Sequence, residues 1–272
     1  MKRLLIALAL ASIAVPSFAA LQYEFMLKNT SDDAAKPSSD MTGRATIDGF
    51  RTRVEFLSGN LYPPNTYVIS TDASGRLYFV DPAKQWYTEV NTAGIATALG
   101  ASNIKIANLK SKVDALPDHT TIAGIVTDHN RLTISYDITV VMRSIPVTQH
   151  VETDIESWTT KQFGDVPQSF LTLNNRTGNA ELDRLLDAEN ARLGGLPLRQ
   201  IVTTRVNYDM PARTKITRPS TRTMTRETWV TRIGETKAEP TQFTIPVSYR
   251  RADQPLLPRS ATETLSFDSG SK

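Results

Sequence analysis

Cysteine is absent from the 272 residues, and histidine occurs only at His119, His129 and His150. The first absence excludes disulfides, thiolate zinc sites, iron–sulfur clusters, cysteine nucleophiles and a lipid-modified N-terminal cysteine. The second leaves few members for the metal sites and triads that imidazole usually serves. Also missing are the glycine-rich phosphate loops, the GxSxG turn and the HExxH helix, which commonly carry nucleotide, ester and zinc-protease chemistry. Triads are defined by geometry, so these absences narrow enzyme chemistry without excluding it. No fixed-period repeat is found, and no large excess of one charge sign: the formal net charge is +3.

Long apolar runs are lacking too, with one exception at the start. Lys2 and Arg3 precede an unbroken apolar and small-residue stretch, Leu4 to Val15, followed by Pro16-Ser17-Phe18-Ala19. That is the form of a secretory signal peptide cut after Ala19, and its run of about 12 residues falls short of the roughly 20 that span a bilayer. Removing Lys2 and Arg3 lowers the net charge by two, which leaves no field for polyanions and excludes nucleic acid as a partner. The expectation is an exported, soluble periplasmic monomer held together by core packing and sheet hydrogen bonds. Residues 1–19 are the signal, 20–250 a single domain and 251–272 a disordered tail.

The body reads as strands. Leu21, Tyr23, Phe25 and Leu27 alternate with Gln22, Glu24 and Lys28, the period of a half-buried strand. Asp48-Gly49 joins a strand at Arg44–Asp48 to another at Phe50–Leu57, a hairpin signal. Short strands at 66–70, 76–80 and 85–90 are separated by turn-forming residues, and Asn91 or Thr92 opens a short helix to Leu99. A strand at 104–113 is followed by a turn at Pro117-Asp118-His119. Ile125 to Met142 forms a long strand that must bend or bulge, partnered by Val147 to Thr160. Helical spacing of Leu182, Leu185, Leu186 and Leu193, closed by Gly194-Gly195, predicts a helix over 179–193. Strands at 198–208, 221–233 and 243–245 complete the chain. The predicted fold is mainly β (α+β): a curved antiparallel sheet forming a half-open β-barrel with one or two covering helices.

Three polar groups invite a chemical reading. His150, Glu152, Asp154 and Glu156 share a strand face, but steps of about 6.6 Å spread them over about 20 Å, so a solvated face paired with neighbouring arginines fits better than a metal site. His129 stands beside Asp128, yet adjacent strand residues point to opposite faces, which speaks against a general base there. From Arg199 to Arg232 the chain carries seven arginines and Lys215 against only Asp209 and Glu227. These either pair with the acidic face or stay free for lipid headgroups or an acidic partner. The aromatic set Phe56, Phe79, Trp86, Tyr136, Trp158 and Trp229 falls within predicted strands. It either fills the core or lines an apolar groove on the concave side of the sheet.

The order of elements resembles a known family group. Its marks are the Phe50-Arg51-Thr52-Arg53-Val54-Glu55-Phe56 strand and the Asp81-Pro82 turn leading to Lys84-Gln85-Trp86-Tyr87. Further on come Thr121-Ile122-Ala123-Gly124, Glu156-Ser157-Trp158-Thr159 and Phe243-Thr244-Ile245-Pro246. This looks like the secreted bacterial families related to the LolA/LolB-type periplasmic lipoprotein carriers. The resemblance implies a half-open barrel with a helical lid over an apolar concavity, sheltering an acyl chain, lipid or lipoprotein without covalent chemistry, cofactor or metal. It carries over no individual ligand residue. A helix as late as 179–193 departs from the carrier pattern. The alternative is an envelope interaction or sensing module that uses a sheet edge or the arginine-rich strands; a hydrolase with an unrecognised site is the third reading.

Overall fold

A computed structural model describes residues 20–33, 38–71, 76–90, 104–142, 145–164, 180–209 and 221–252. The expected signal peptide at 1–19, the short helix expected before Leu99 and residues 253–272, expected as a tail, lie outside the described residues.

Alternation in the sequence becomes one large sheet. Its strands are β1 (Ala20–Ser31), β2 (Ser39–Asp48), β3 (Arg51–Gly59), β4 (Tyr67–Ser70), β5 (Leu77–Asp81) and β6 (Trp86–Val90). The second half adds β7 (Ile104–Ile122), β8 (Ile125–Met142), β9 (Ile145–Thr160), β10 (Leu196–Asp209), β11 (Thr221–Thr236) and β12 (Arg250–Arg251). They join in the order β12-β6-β5-β4-β3-β2-β1-β11-β10-β9-β8-β7. The two end strands are not paired with each other, so the sheet is curved but open. All pairs are antiparallel except β12, which adds parallel to β6. One helix, α1 (Ala180–Leu193), is described, at the position its leucine spacing predicts.

Two expectations are corrected. The chain does not turn at Pro117-Asp118-His119. Strand β7 runs through them with a register shift between Leu116 and His119, and the hairpin turns at Ala123-Gly124, where φ is 49° and 82°. Proline is tolerated because β7 is an edge strand and its N–H is not needed there. A second shift between Ala107 and Lys110, with Lys105, Lys110 and Lys112 along the strand, further blunts this edge against pairing with other chains. Nor is 243–245 a strand. Pro240–Phe243 forms a 3₁₀ turn, because proline supplies a helical φ without an N–H. Phe243 is buried against the outer face, where Arg51 lies over its ring at 5.2 Å. Ile245 and Tyr249 continue this strap over Tyr67, Ile69 and Val80 before β12 forms.

Directly opposed residues in a ladder share a face, so register defines the two sides of the sheet. Phe25 opposes Val230, Leu27 opposes Thr228 and Asn29 opposes Arg226. Arg226 opposes Val202, Val202 opposes Ile155, and Ile155 opposes Leu132. All these side chains therefore stand on one inner face. It holds two buried apolar clusters. The larger gathers Leu21, Phe25, Leu27, Val54, Phe56, Phe79, Leu198 and Val230, among others. The smaller holds Leu132, Ile134, Ile155 and Leu193, with Leu109, Val113, Tyr136 and Val202 packed against it. Leu193 brings α1 onto this second cluster. Glu189 of α1 is buried there, accepting from Ser111 Oγ at 3.0 Å and from Arg192 Nη1 at 2.8 Å.

Candidate functional site

The six aromatic candidates separate. Phe56, Phe79 and Trp86 come together on the inner face, joined by Tyr62 from the loop after β3. The Phe56 and Tyr62 rings stack at 4.2 Å and 11°, Phe56 and Phe79 at 6.3 Å, and Phe79 and Trp86 meet at 6.0 Å. Phe56 and Phe79 are fully buried and Trp86 half-buried, so this group is packed interior with one partly open end. Tyr136 stands on the same face beside the smaller cluster, half-buried. Trp158 and Trp229 lie on the outer face, since their strand neighbours Ser157 and Thr228 point inward. Tyr62, which a proline-rich turn hid in the sequence, joins this stack although the six omit it.

Along the smaller inner cluster runs a strip of half-buried residues. Met224 and Arg226 of β11 oppose Thr204 and Val202 of β10. Thr204 opposes Thr153 of β9, and Val206, two residues on, opposes Val151 beside Tyr136. Met224, Arg226, Val202, Thr204 and Tyr136 are half-buried. Arg226 donates from Nε to Asn29 Oδ1 at 3.3 Å. Burial lowers its guanidinium pKa, an effect opposed by the nearby Tyr62. Burial also pushes the Tyr62 phenol up to about 12, so it stays a neutral hydroxyl at any ordinary pH.

On the outer face, a cavity of about 360 Å³ is lined by Gln22, Arg44, Thr46, Arg53, Glu55, Thr241 and Gln242. Its charges are already matched. Arg44 contacts Glu24 at 2.9 Å and Glu55 at 3.8 Å. Arg53 bonds Glu55 at 2.9 Å and the Gln242 carbonyl at 3.0 Å, and it lies 3.7 Å over the Tyr67 ring. This cavity is a polar seam beneath the C-terminal strap.

Further along the outer face, Trp158 is sandwiched. His129 stacks on one side at 4.1 Å, and the Arg199 guanidinium covers it at 4.8 Å. His129 Nδ1 donates to Asp118, with both carboxylate oxygens at 2.9 Å. That hydrogen bond holds the Asp118 carboxyl below its usual range. Asp118, not Asp128, is thus the partner of His129, because the bulge before His119 re-aims the strand. Buried Ser157 opposes Asn130 on the inner face and does not complete a triad with them.

The acidic face of β9 meets Arg131 of β8 and His150 of β9 itself. Arg131 pairs with Glu156 and, at 3.4 Å, with Asp154. His150 bonds Asp137 at 2.7 Å and Glu152 at 3.4 Å. The arginine-rich strands are satisfied elsewhere: Arg199 by Glu227 at 2.7 Å and Arg222 by Asp33 at 2.8 Å. Arg205 and Arg232 are exposed, while Arg213, Lys215 and Arg218 lie outside the described residues.

The His150–Asp137 pair makes a pH prediction. The hydrogen bond that His150 donates to Asp137 raises the His150 pKa, with burial opposing it, and lowers that of Asp137. A raised histidine contributes stability below its unfolded value of about 6.5 that disappears as pH rises through the folded value. A depressed aspartate contributes above its unfolded value of about 3.9 and is lost in acid. The pair therefore counts most between about pH 4 and 6.5, and its exposure keeps it under about 1 kcal/mol. NMR titration of the imidazole should place His150 above 6.5, and Asp137→Asn should bring it down; no movement on that substitution contradicts the assignment.

Strand order, open ends and a single described helix define a class: a mainly β fold built on one large, curved and open sheet. No protein-family model matches the chain, and no curated protein matches it. Among solved structures the chain is similar to the LolA superfamily protein NE2245 from Nitrosomonas europaea, at 7% identity and a TM-score of 0.30, covering 84% of this chain and 91% of that one. The open curved sheet stands on the strand order itself, independent of that likeness. Among the described residues, no helix is long and apolar enough to cross a membrane, and no three acidic or imidazole groups gather as a metal site would require.

Proposed function

We propose that the chain is a non-catalytic binding protein of the bacterial envelope that shelters an acyl chain on the inner face of its half-barrel. The observation that carries this reading is the half-buried margin of the smaller apolar cluster, where Tyr136 and Val202 are only partly covered. One face of one sheet is buried at both ends, yet half-open along Tyr136, Val202, Thr204 and Met224. Apolar area removed from water there by a ligand is worth about 25 cal/mol per Å² before the costs of association. Export follows from the N-terminal segment, and the acyl ligand is in keeping with the family resemblance of the sequence.

The half-buried strip makes a long-chain fatty acid the natural probe. A fluorescent C16 fatty acid should bind saturably at one site per chain and be displaced by palmitate. Failure to bind above the level of a filled-core control protein would reject the reading. The edge of β7 is poorly suited to the alternative of strand addition by a partner, being interrupted by Pro117 and two register shifts.

A further inference from the structure

Two arginines of β11 enter the inner face, and their surroundings differ. Arg222 Nη2 donates to Asp33 at 2.8 Å, a charge met by a charge. Among the described residues Arg226, two residue pairs along, has only the Asn29 amide oxygen, at 3.3 Å, and no carboxylate. Asn29 is itself held in place: its Nδ2 donates to Ser39 Oγ at 3.0 Å, which turns its oxygen toward the guanidinium. On the other side stands Tyr62, stacked on Phe56 and neutral. Leu27 and Tyr62 belong to the larger apolar cluster and Val202 to the smaller, so the guanidinium sits at their junction.

A cation partly withdrawn from water, with no counter-charge among the described residues, is costly, and an apolar side chain of similar volume would be at least as stable in its place. Its terminal nitrogens form a planar fork suited to two oxygens of one acidic group. We infer that Arg226 is the headgroup anchor of the inner face, taking the carboxylate or phosphate of a single-chain amphiphile whose tail lies along Val202, Thr204 and Tyr136. Charge complementarity selects the occupant: an acidic head for the unmatched cation and an apolar tail for the strip beside it. The inference rests on the inner face being the binding surface and adds which end of the ligand is recognised.

The test compares dodecanoate, dodecyl phosphate, dodecanol and inorganic phosphate by calorimetry on the parent chain, Arg226→Met and Arg226→Lys. Charge-assisted hydrogen bonds should make the two acidic amphiphiles bind about 10- to 100-fold more tightly than dodecanol. Arg226→Met should remove that preference and leave dodecanol binding unchanged, while Arg226→Lys, a point charge without the fork, should keep part of it. The thermal midpoint of Arg226→Met should equal or exceed that of the parent. An unchanged preference in Arg226→Met overturns the inference. So does parallel loss of dodecanol binding and thermal stability, the mark of a merely structural arginine. Inorganic phosphate binding as tightly as dodecyl phosphate would indicate a free-anion site and also overturn it. Dodecanol binding without any acidic preference in the parent sinks this inference alone; no binding of any chain sinks the acyl-binding reading with it.

Discussion

Phe56→Ala is expected to lower the unfolding free energy by about 3–5 kcal/mol, the usual cost of emptying a buried aromatic site. Phe56 has 0% exposure and stands at the centre of an aromatic group contributed by different parts of the fold. Tyr62 stacks on it from the following loop and Phe79 from β5, so truncation leaves rings from several directions facing a void. None can fill it cheaply: Phe79 is also packed against Trp86, and Tyr62 is tied to a loop fixed by backbone hydrogen bonds. Chemical denaturation should show a fall in midpoint at constant slope. Phe50, 55% exposed in the hairpin turn next to β3, is the control, and its alanine variant should change stability by no more than about 0.5 kcal/mol. Equal effects at the two positions would mean that the larger cluster is not the stabilising core.

Gly59→Ala should cost at least about 3 kcal/mol, or prevent folding, for a different reason. Gly59 ends β3 at a φ of +110°, a conformation that residues with a Cβ rarely adopt. An added Cβ would lie 2.2 Å from the Asp40 carbonyl oxygen and 2.5 Å from Met41 Cα. Both are backbone atoms of the neighbouring strand, so no rotamer change relieves the clash. The same Asp40 carbonyl accepts from Asn60 at 2.9 Å and Leu61 at 3.3 Å, and these bonds start the loop that carries Tyr62. Gly49 separates strain from crowding. Its φ is +59° with nothing within 4 Å of an added Cβ, so its alanine variant should pay only the left-handed penalty of about 1–2 kcal/mol. Thermal unfolding of both variants tests the difference; similar midpoints would place the cost in φ rather than in the close approach of β2.

Most of the sheet was legible because burial on one face writes a period of two into the chain. Leu21, Tyr23, Phe25 and Leu27 do so in β1, and Leu132, Ile134 and Tyr136 in β8. Leucines at helical spacing gave α1 in the same way. The errors have physical causes. Pro117 is a turn signal in general but is harmless in an edge strand, and edge position is a property of topology, not of local sequence. Phe243 and Ile245 alternate like a strand because they bury side chains, yet they do so as a strap over the outer face.

The site was legible only in part. Trp158 is in phase with Asp154 and Glu156, so alternation alone assigns it to their outer face; aromatic character drew it into the groove set. Arg226 is in phase with Thr228 and Val230, which marks it as inward-facing, but a count of seven arginines in one segment treats all alike. Tyr62 carried no periodic signal, since it reaches the inner face from a loop whose path depends on Gly59 and on β2. Which carboxylate meets which cation was likewise beyond the sequence. The bulge that gives Asp118 to His129 and the register that gives Glu156 to Arg131 are set by pairing across strands.

The central claim is that the ligand lies on the inner face, and adjacent residues of β10 test it most directly. Thr204 faces inward toward Thr153 and Thr203 outward toward Thr225, with hydroxyl contacts of 3.4 Å and 3.5 Å on the two faces. Fatty-acid affinity should be measured for Thr204→Trp and Thr203→Trp in parallel. The inner-face reading predicts that Thr204→Trp abolishes binding or weakens it at least about tenfold by filling the strip, while Thr203→Trp leaves it unchanged. Retained affinity in Thr204→Trp, or loss confined to Thr203→Trp, would contradict it.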